Sequence, residues 1–148
     1  AKKKIKLIYF STNYVYQGTK GNYSENDPVL PINNYAISKL GGECAVQMYK
    51  NSLILRICMT EKPFIHKKAF NDVEMNFMFH EDLAKNLLKL INYKGIINVG
   101  GPKKIVFDFA KKTNKKILPM SAKKKFGKNF PTKQTMNLKR YKKIINKN

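Results

Sequence analysis

"FSTNYVYQG", residues Phe10 to Gly18, and "NYAISKLGGE", residues Asn34 to Glu43, decide how this chain is read. The first closes a short β-branched and aromatic run, Ile5 to Phe10 ("IKLIYF"), which predicts a buried strand. The second opens a stretch, Tyr35 to Lys50, whose apolar positions Ile37, Leu40, Cys44, Val46 and Met48 predict an amphipathic helix, with Cys44 packed in the core. Ser52 to Ile57 ("SLILRI") follows as a second buried strand. Strand, helix, strand in this order is the grammar of a parallel α/β sheet. Such sheets bind ligands at the C-terminal edge of their strands, and the Thr12 hydroxyl falls there. Tyr35 and Lys39, four apart, project from one helix face a turn apart. An ammonium beside a phenol favours the ionised phenol, and a phenol so tuned can protonate a carbonyl oxygen while hydride reaches its carbon. A Tyr-x-x-x-Lys pair is also what a solvated helix face shows by chance in a lysine-rich chain, so the surrounding residues must decide.

The rest of the chain continues the same grammar. Gly18 to Pro31 reads as an exposed loop, and Cys58 to Asp72 as irregular. Glu74 to Phe79 alternates weakly as a short strand. His80 to Leu90 predicts a helix with Leu83, Leu87, Leu88 and Leu90 on its apolar face, and Glu81 and Asp82 suit its positive end. His80 reads as a helix-start residue rather than a base. Gly95 to Val99 ("GIINV") predicts a third strand, stopped by Gly100-Gly101-Pro102. Val106 to Thr113 and Leu138 to Ile145 predict two further helices. Phe107 and Phe109, two apart, cannot share a helical face, so one packs outside the main seam.

Composition narrows the classes. The 148 residues suffice for one domain with a real core, and 43% hydrophobic residues exclude a disordered chain. No run approaches the ~18 apolar residues of a membrane span. Lys2-Lys3-Lys4 leads into a strand-like run with no cleavage site, so no signal peptide is expected. Only Cys44 and Cys58 are present, without metal spacing, which fits a reducing cytoplasm. The net charge of +21 raises a nucleic-acid partner. Against that partner, Arg56 and Arg140 are the only arginines, and specific readers lean on the arginine fork. The lysine excess is read as compositional drift, and nucleic acid is not the expected partner.

"STNYVYQG", then Tyr23, Glu25, Asp27 and Pro31 in the pattern Y-x-E-x-D-x-x-x-P, then "NYAISKLGGE" and "LILR", resemble the extended short-chain dehydrogenase/reductase superfamily. The likeness is greatest to its dTDP-4-dehydrorhamnose reductase family, whose strand end reads S-T-D-Y-V-F. "HEDLAKNLLKLI" and "GIINVGG" resemble that family's Asp-Leu-Ala helix and last sheet strand, with Asp82 at a position where the family also keeps an acid. The resemblance implies a partial Rossmann-like parallel sheet, about three of seven strands, with a small C-terminal substrate-binding subdomain. It implies Thr12 as the substrate-side hydroxyl, Tyr35 as proton donor, and Lys39 as the residue holding the nicotinamide ribose, with Tyr35 beside it. Asn13 and Met59 fall on the substrate side. Asn13 stands where the family has aspartate, and Ile57-Cys58-Met59 where it has Thr-Ser-aromatic.

The family's Gly-rich turn, where helix N-terminal amides bind the cofactor pyrophosphate, has no counterpart in these residues. The chain is therefore expected to correspond to a second half, inactive alone. Residues 1–57 would form sheet and catalytic helix, 58–74 a substrate-side segment, 75–100 the last helix and strand, and 101–148 the subdomain. The implied function is NADPH- or NADH-dependent reduction of a nucleotide-linked 4-keto-deoxysugar, in dTDP-rhamnose biosynthesis or a similar route. A non-catalytic regulatory or structural subunit and a nucleotide-sugar epimerase stay open as alternatives. Expected partners are the nucleotide-sugar, a missing N-terminal half or partner chain, or a second copy of this chain, and no membrane.

Overall fold

The structure, a computed structural model, describes residues 5–147. Its centre is a three-stranded parallel sheet. Strand β1 (Leu7–Thr12) pairs with β2 (Ser52–Ile57) from Leu7 opposite Ser52 to Thr12 opposite Ile57. Helix α1 (Asn34–Gln47) makes the crossover between them. The rest of the chain adds β3 (Met59–Thr60), β4 (Lys68–Phe70), β5 (Glu74–Met75), β6 (Met78–Phe79), α2 (His80–Leu90) and β7 (Gly95–Val99). After these come β8 (Lys104–Ile105), α3 (Val106–Lys111), β9 (Leu118–Met120), α4 (Ala122–Phe126) and α5 (Lys139–Ile145). β7 pairs with the other side of β2, giving the order β1-β2-β7. Central β2 is buried along its whole length, as an all-parallel strand covered on both faces must be, which is why its sequence runs apolar without alternation. The α/β class and the parallel sheet of three strands are as the sequence predicts.

The two faces of the sheet differ in chemistry. Alternation places Leu53, Leu55, Ile57, Ile97 and Val99 on one face, where they join Leu83 and Leu90 of α2 and Tyr141 and Ile144 of α5 in the apolar core. The other face, toward α1, carries Tyr9, Ser11, Ile54, Arg56 and Asn98. Short paired strands flank the sheet: β3 with β6 and β4 with β9 parallel, β5 with β8 antiparallel. A cluster of Phe70, Phe126 and Phe130 closes β4 against the segment around α4.

Several expectations are corrected. Cys44 is exposed, and Cys58 is the buried cysteine. Within α1 the fully buried side chains are Ala36 and Glu43, while Ile37 and Met48 are 54% and 87% exposed. Leu40 still packs against the core, but the largest fully buried side chain of α1 is a charged one, which a hydrophobic pattern cannot report. Leu88 is also exposed, leaving Leu83 and Leu90 as the buried leucines of α2. The Gly18–Pro31 loop is not simply exposed. Tyr23 is buried, stacked on Tyr16 at 4.9 Å, and its backbone carbonyl accepts from the Asn98 side chain. The segment read as irregular contains β3 and β4. Of the phenylalanine pair in α3, Phe109 is buried and Phe107 only half so.

Gly100 and Gly101 do more than stop β7. A Cβ at Gly100 would lie 2.5 Å from the Asn76 carbonyl oxygen, and one at Gly101 would lie 2.3 Å from that of Phe77. Backbone passes against backbone here, and this contact holds residues 75–77 across the end of the sheet.

Candidate functional site

Thr12 ends β1, and the chain turns at once into a single 3-10 turn, Asn13–Val15. The Thr12 Oγ1 accepts from the Tyr14 amide at 3.3 Å and so caps the turn. A hydroxyl that accepts in this way keeps its own proton free to donate outward. Asn33 caps α1 by accepting from the Ala36 amide at 2.8 Å. That cap fixes the first helical turn, which carries Tyr35.

These two starts meet. Thr12, Asn13, Tyr35 and Met59 line one cleft of about 190 Å3 at the C-terminal edge of the strands, together with Tyr14, Cys58, Glu61 and His80. Thr12 and Asn13 are buried, and Tyr35 is 56% exposed. Its ring meets that of Tyr14 edge to face at 6.5 Å. Burial, with Cys58 and Tyr35 nearby, pushes the Tyr14 phenol well above its ordinary range, and burial does the same to the Cys58 thiol. Both therefore stay neutral near pH 7. Glu61 is an exposed carboxylate held below its usual range, first by backbone hydrogen bonding and the Thr60 hydroxyl, then by His80 and His66.

Lys39 does not line this cleft. Its ammonium lies over the Tyr9 ring, 4.5 Å from the centroid. Of the residues singled out from sequence, the fold thus gathers Thr12, Asn13, Tyr35 and Met59, and sets Lys39 one helical turn away.

A larger cavity of about 610 Å3 lies next to the cleft, with Tyr14, Met59, Glu61, Met75 and Phe77 lining both. Phe64 and Phe70 form apolar walls there, and Lys67, Lys68 and Lys125 line it as cations. An apolar, aromatic chamber with cations beside a small polar cleft suits a ligand with a flat apolar part, an anionic part and a compact polar end. Sequence reading missed Tyr14, Glu61 and His80 as cleft residues. Tyr14 sits two residues past Thr12 in a turn whose direction no periodicity reports, and His80 reads as an ordinary helix start.

Residues 1–71 match the family model described as the RmlD substrate binding domain. The dTDP-4-dehydrorhamnose reductase of Burkholderia thailandensis is 52% identical over 41 residues, 27% of this chain and 14% of that protein. Methionine adenosyltransferase 2 subunit beta of Danio rerio is 54% identical over 37 residues, 25% of this chain and 12% of that one. Among solved structures, a hypothetical dTDP-4-dehydrorhamnose reductase from Sulfolobus tokodaii superposes with a TM-score of 0.77 at 25% identity, covering 97% of this chain and 59% of that chain. The Bacillus anthracis dTDP-4-dehydrorhamnose reductase, solved in complex with NADP, gives 0.74 at 24%, covering 93% and 57%. The chain is thus similar in sequence to the RmlD substrate binding domain over residues 1–71 and to a dTDP-4-dehydrorhamnose reductase over 41 residues, and similar in fold to such reductases over nearly its whole length. It spans under three fifths of those structures' length.

Proposed function

We propose that this chain is the substrate-facing part of an NAD(P)-dependent reductase of nucleotide-linked 4-keto-deoxysugars, with Tyr35 as proton donor. The observation that carries this reading is the adjacency of the Thr12–Tyr35 cleft to the aromatic, lysine-lined cavity, the two sharing Tyr14, Met59, Glu61, Met75 and Phe77. The sugar's keto carbon would sit in the cleft, where the free Thr12 proton can donate to the keto oxygen and the Tyr35 hydroxyl can protonate it. The base would lie against Phe64, Phe70 and Phe77, and the diphosphate near Lys67, Lys68 and Lys125. Asn13 and Met59 would face the sugar.

NADPH, or NADH, supplies the hydride when bound. The residues present suit its nicotinamide end, with Tyr35 exposed at the cleft mouth and Lys39 one turn behind it. The glycine turn at this sheet edge, Gly100-Gly101 after β7, is packed against the Asn76 and Phe77 carbonyls, so the pyrophosphate would be held by elements outside these residues. Leu7 and Phe10 are partly exposed on β1, whose outer edge pairs with no strand among the described residues. A further polypeptide segment, or a second copy of this chain, would add there.

The test is reduction of a dTDP-4-keto-deoxysugar, followed by NADPH consumption, in the cofactor-binding assembly that contains this chain. Turnover lost in Tyr35→Phe supports the reading. Full turnover in that variant removes it, and isomerised sugar without net oxidation of NADPH would point to an epimerase. A second reading is favoured by the likeness to the adenosyltransferase subunit: the fold would then serve as a partner-binding subunit without turnover. Nucleotide-sugar binding without reduction by the same assembly would favour it.

A further inference from the structure

Tyr9 lies on β1 on the face that α1 covers, half-buried beneath the helix. Three contacts tie it to the turn after Tyr35. Its hydroxyl donates to the Lys39 carbonyl oxygen at 3.3 Å. The Lys39 ammonium lies 4.5 Å from the ring centroid. Gly42, one turn beyond Lys39, leaves room for the phenol: a Cβ there would stand 2.1 Å from the Tyr9 oxygen and 2.5 Å from the ring carbon that bears it. The same helical segment thus receives the ring, accepts its proton and places a cation on its face.

A lysine side chain has a flexible four-carbon stem and loses much rotamer freedom when fixed. Among the described residues no carboxylate lies within ion-pair distance of Lys39 to fix it. The negative face of an aromatic ring can do so without neutralising the charge, whereas a carboxylate would neutralise it and compete with an incoming hydroxyl oxygen. A cation held on a ring keeps N–H donors available to a ligand.

We propose that Tyr9 is a positioning residue for Lys39. The ring parks the ammonium beside the cleft, ready to hold the ribose hydroxyls of a nicotinamide cofactor, and Gly42 is glycine so that the ring can lie there. This rests on the reading of Lys39 given above, and the two can be tested apart.

The first measurement is made on this chain without substrate or cofactor. Protons on the Lys39 ε-carbon, one bond from an ammonium that lies over the ring, are expected at upfield NMR shifts. Tyr9→Phe keeps the ring and should keep those shifts, and Tyr9→Leu should return them to ordinary lysine values. Gly42→Ala, which pushes the ring aside by a different route, should also move them. Ordinary lysine shifts in the unaltered chain, or unchanged shifts in Tyr9→Leu, would overturn the proposal. The second measurement is the KM for NADPH in the cofactor-binding assembly. Tyr9→Leu should raise it roughly 2–5-fold, the factor that corresponds to a cation–π contact, with Tyr9→Phe near the unaltered value. A lost NMR signature with an unchanged KM overturns the positioning role. If Lys39→Ala itself leaves the KM unchanged, the assignment of Lys39 to the cofactor fails instead, and with it the functional part of the proposal.

Discussion

Arg56 and Glu43 form a two-pronged ion pair almost wholly shielded from water, with Nη2 2.7 Å from Oε2 and Nε 3.0 Å from Oε1. Around it the lone pairs and protons are shared out. The Ser11 hydroxyl donates to Glu43 Oε1 at 2.5 Å, and Arg56 Nη1 donates to the Tyr16 hydroxyl at 2.8 Å. Tyr16 in turn donates to Asn98 Oδ1 at 2.8 Å. Ser11, Arg56 and Asn98 stand in register across β1, β2 and β7, so a polar row crosses the sheet one residue before Thr12. Glu43 links that row to the helix that bears Tyr35.

Removing one partner of a buried pair leaves a charge stranded in a medium of low polarity. Arg56→Met or Glu43→Leu should therefore each cost about 3–5 kcal/mol. The double variant should recover part of the loss, and only part, because Ser11 and Tyr16 still lose their partners. Urea unfolding of the three variants checks this. Additive single losses would show that the pair is not coupled.

Tyr35→Phe keeps the edge-to-face contact with Tyr14 while removing the transferable proton. In the assembly that binds NADPH it should lower kcat by about 10²-fold or more, with stability unchanged. Thr12→Val should also slow turnover, and should cost some stability through loss of the cap on the Tyr14 amide. Steady-state kinetics beside thermal melts separates the two effects.

Gly101→Ala would drive a methyl group into the Phe77 carbonyl oxygen, 2.3 Å from the ideal Cβ. The Gly101 amide also donates to the Asn76 carbonyl at 2.8 Å, so the segment cannot simply swing away. About 1–3 kcal/mol should be lost. Phe77 walls both cavities, so ligand affinity should fall as well. Gly41→Ala, where a Cβ meets nothing within 4 Å, serves as the harmless control in the same denaturation series.

Stability should fall in acid. Burial would raise the Asp72 carboxyl, but the Ser121 hydroxyl and the Ala122 and Lys123 amides outweigh it and hold it below its usual range. Asp27 is likewise held low, by the Lys20 ammonium and the Ser24 amide. A folded-state value below the unfolded one, ~3.9 for aspartate, adds stability above that value. The contribution disappears as pH falls through the lower folded value. Asp72→Asn should therefore lower Tm at pH 7, and the difference should shrink as pH falls below the unfolded value of ~3.9. A Tm difference that stays constant as pH is lowered through the acid range would refute the assignment.

The 148 residues by themselves should bind NADPH weakly. Two or three hydrogen bonds to a nicotinamide ribose, ~1 kcal/mol each, do not offset the several kcal/mol lost in immobilising the ligand. Calorimetric titration decides, and micromolar affinity in a monomeric sample would show a cofactor cradle among these residues.

The sequence by itself determined the α/β class, the parallel order of the first two strands, although the first runs Leu7–Thr12 rather than the expected Ile5–Phe10, the α2 and β7 boundaries, and the meeting of Thr12 and Tyr35 at one sheet edge. These follow from short-range rules: uninterrupted apolar runs, helical spacing, and glycines that end a strand. Only the tertiary structure decided that Glu43 is buried where α1 meets the sheet, that Tyr14 and His80 line the cleft, and that Lys39 rests on Tyr9. Each of these joins residues 13 or more positions apart or turns on the direction of an irregular loop. Hydrophobic periodicity records which side of an element avoids water. It carries nothing about which distant charge, ring or hydroxyl will be waiting there.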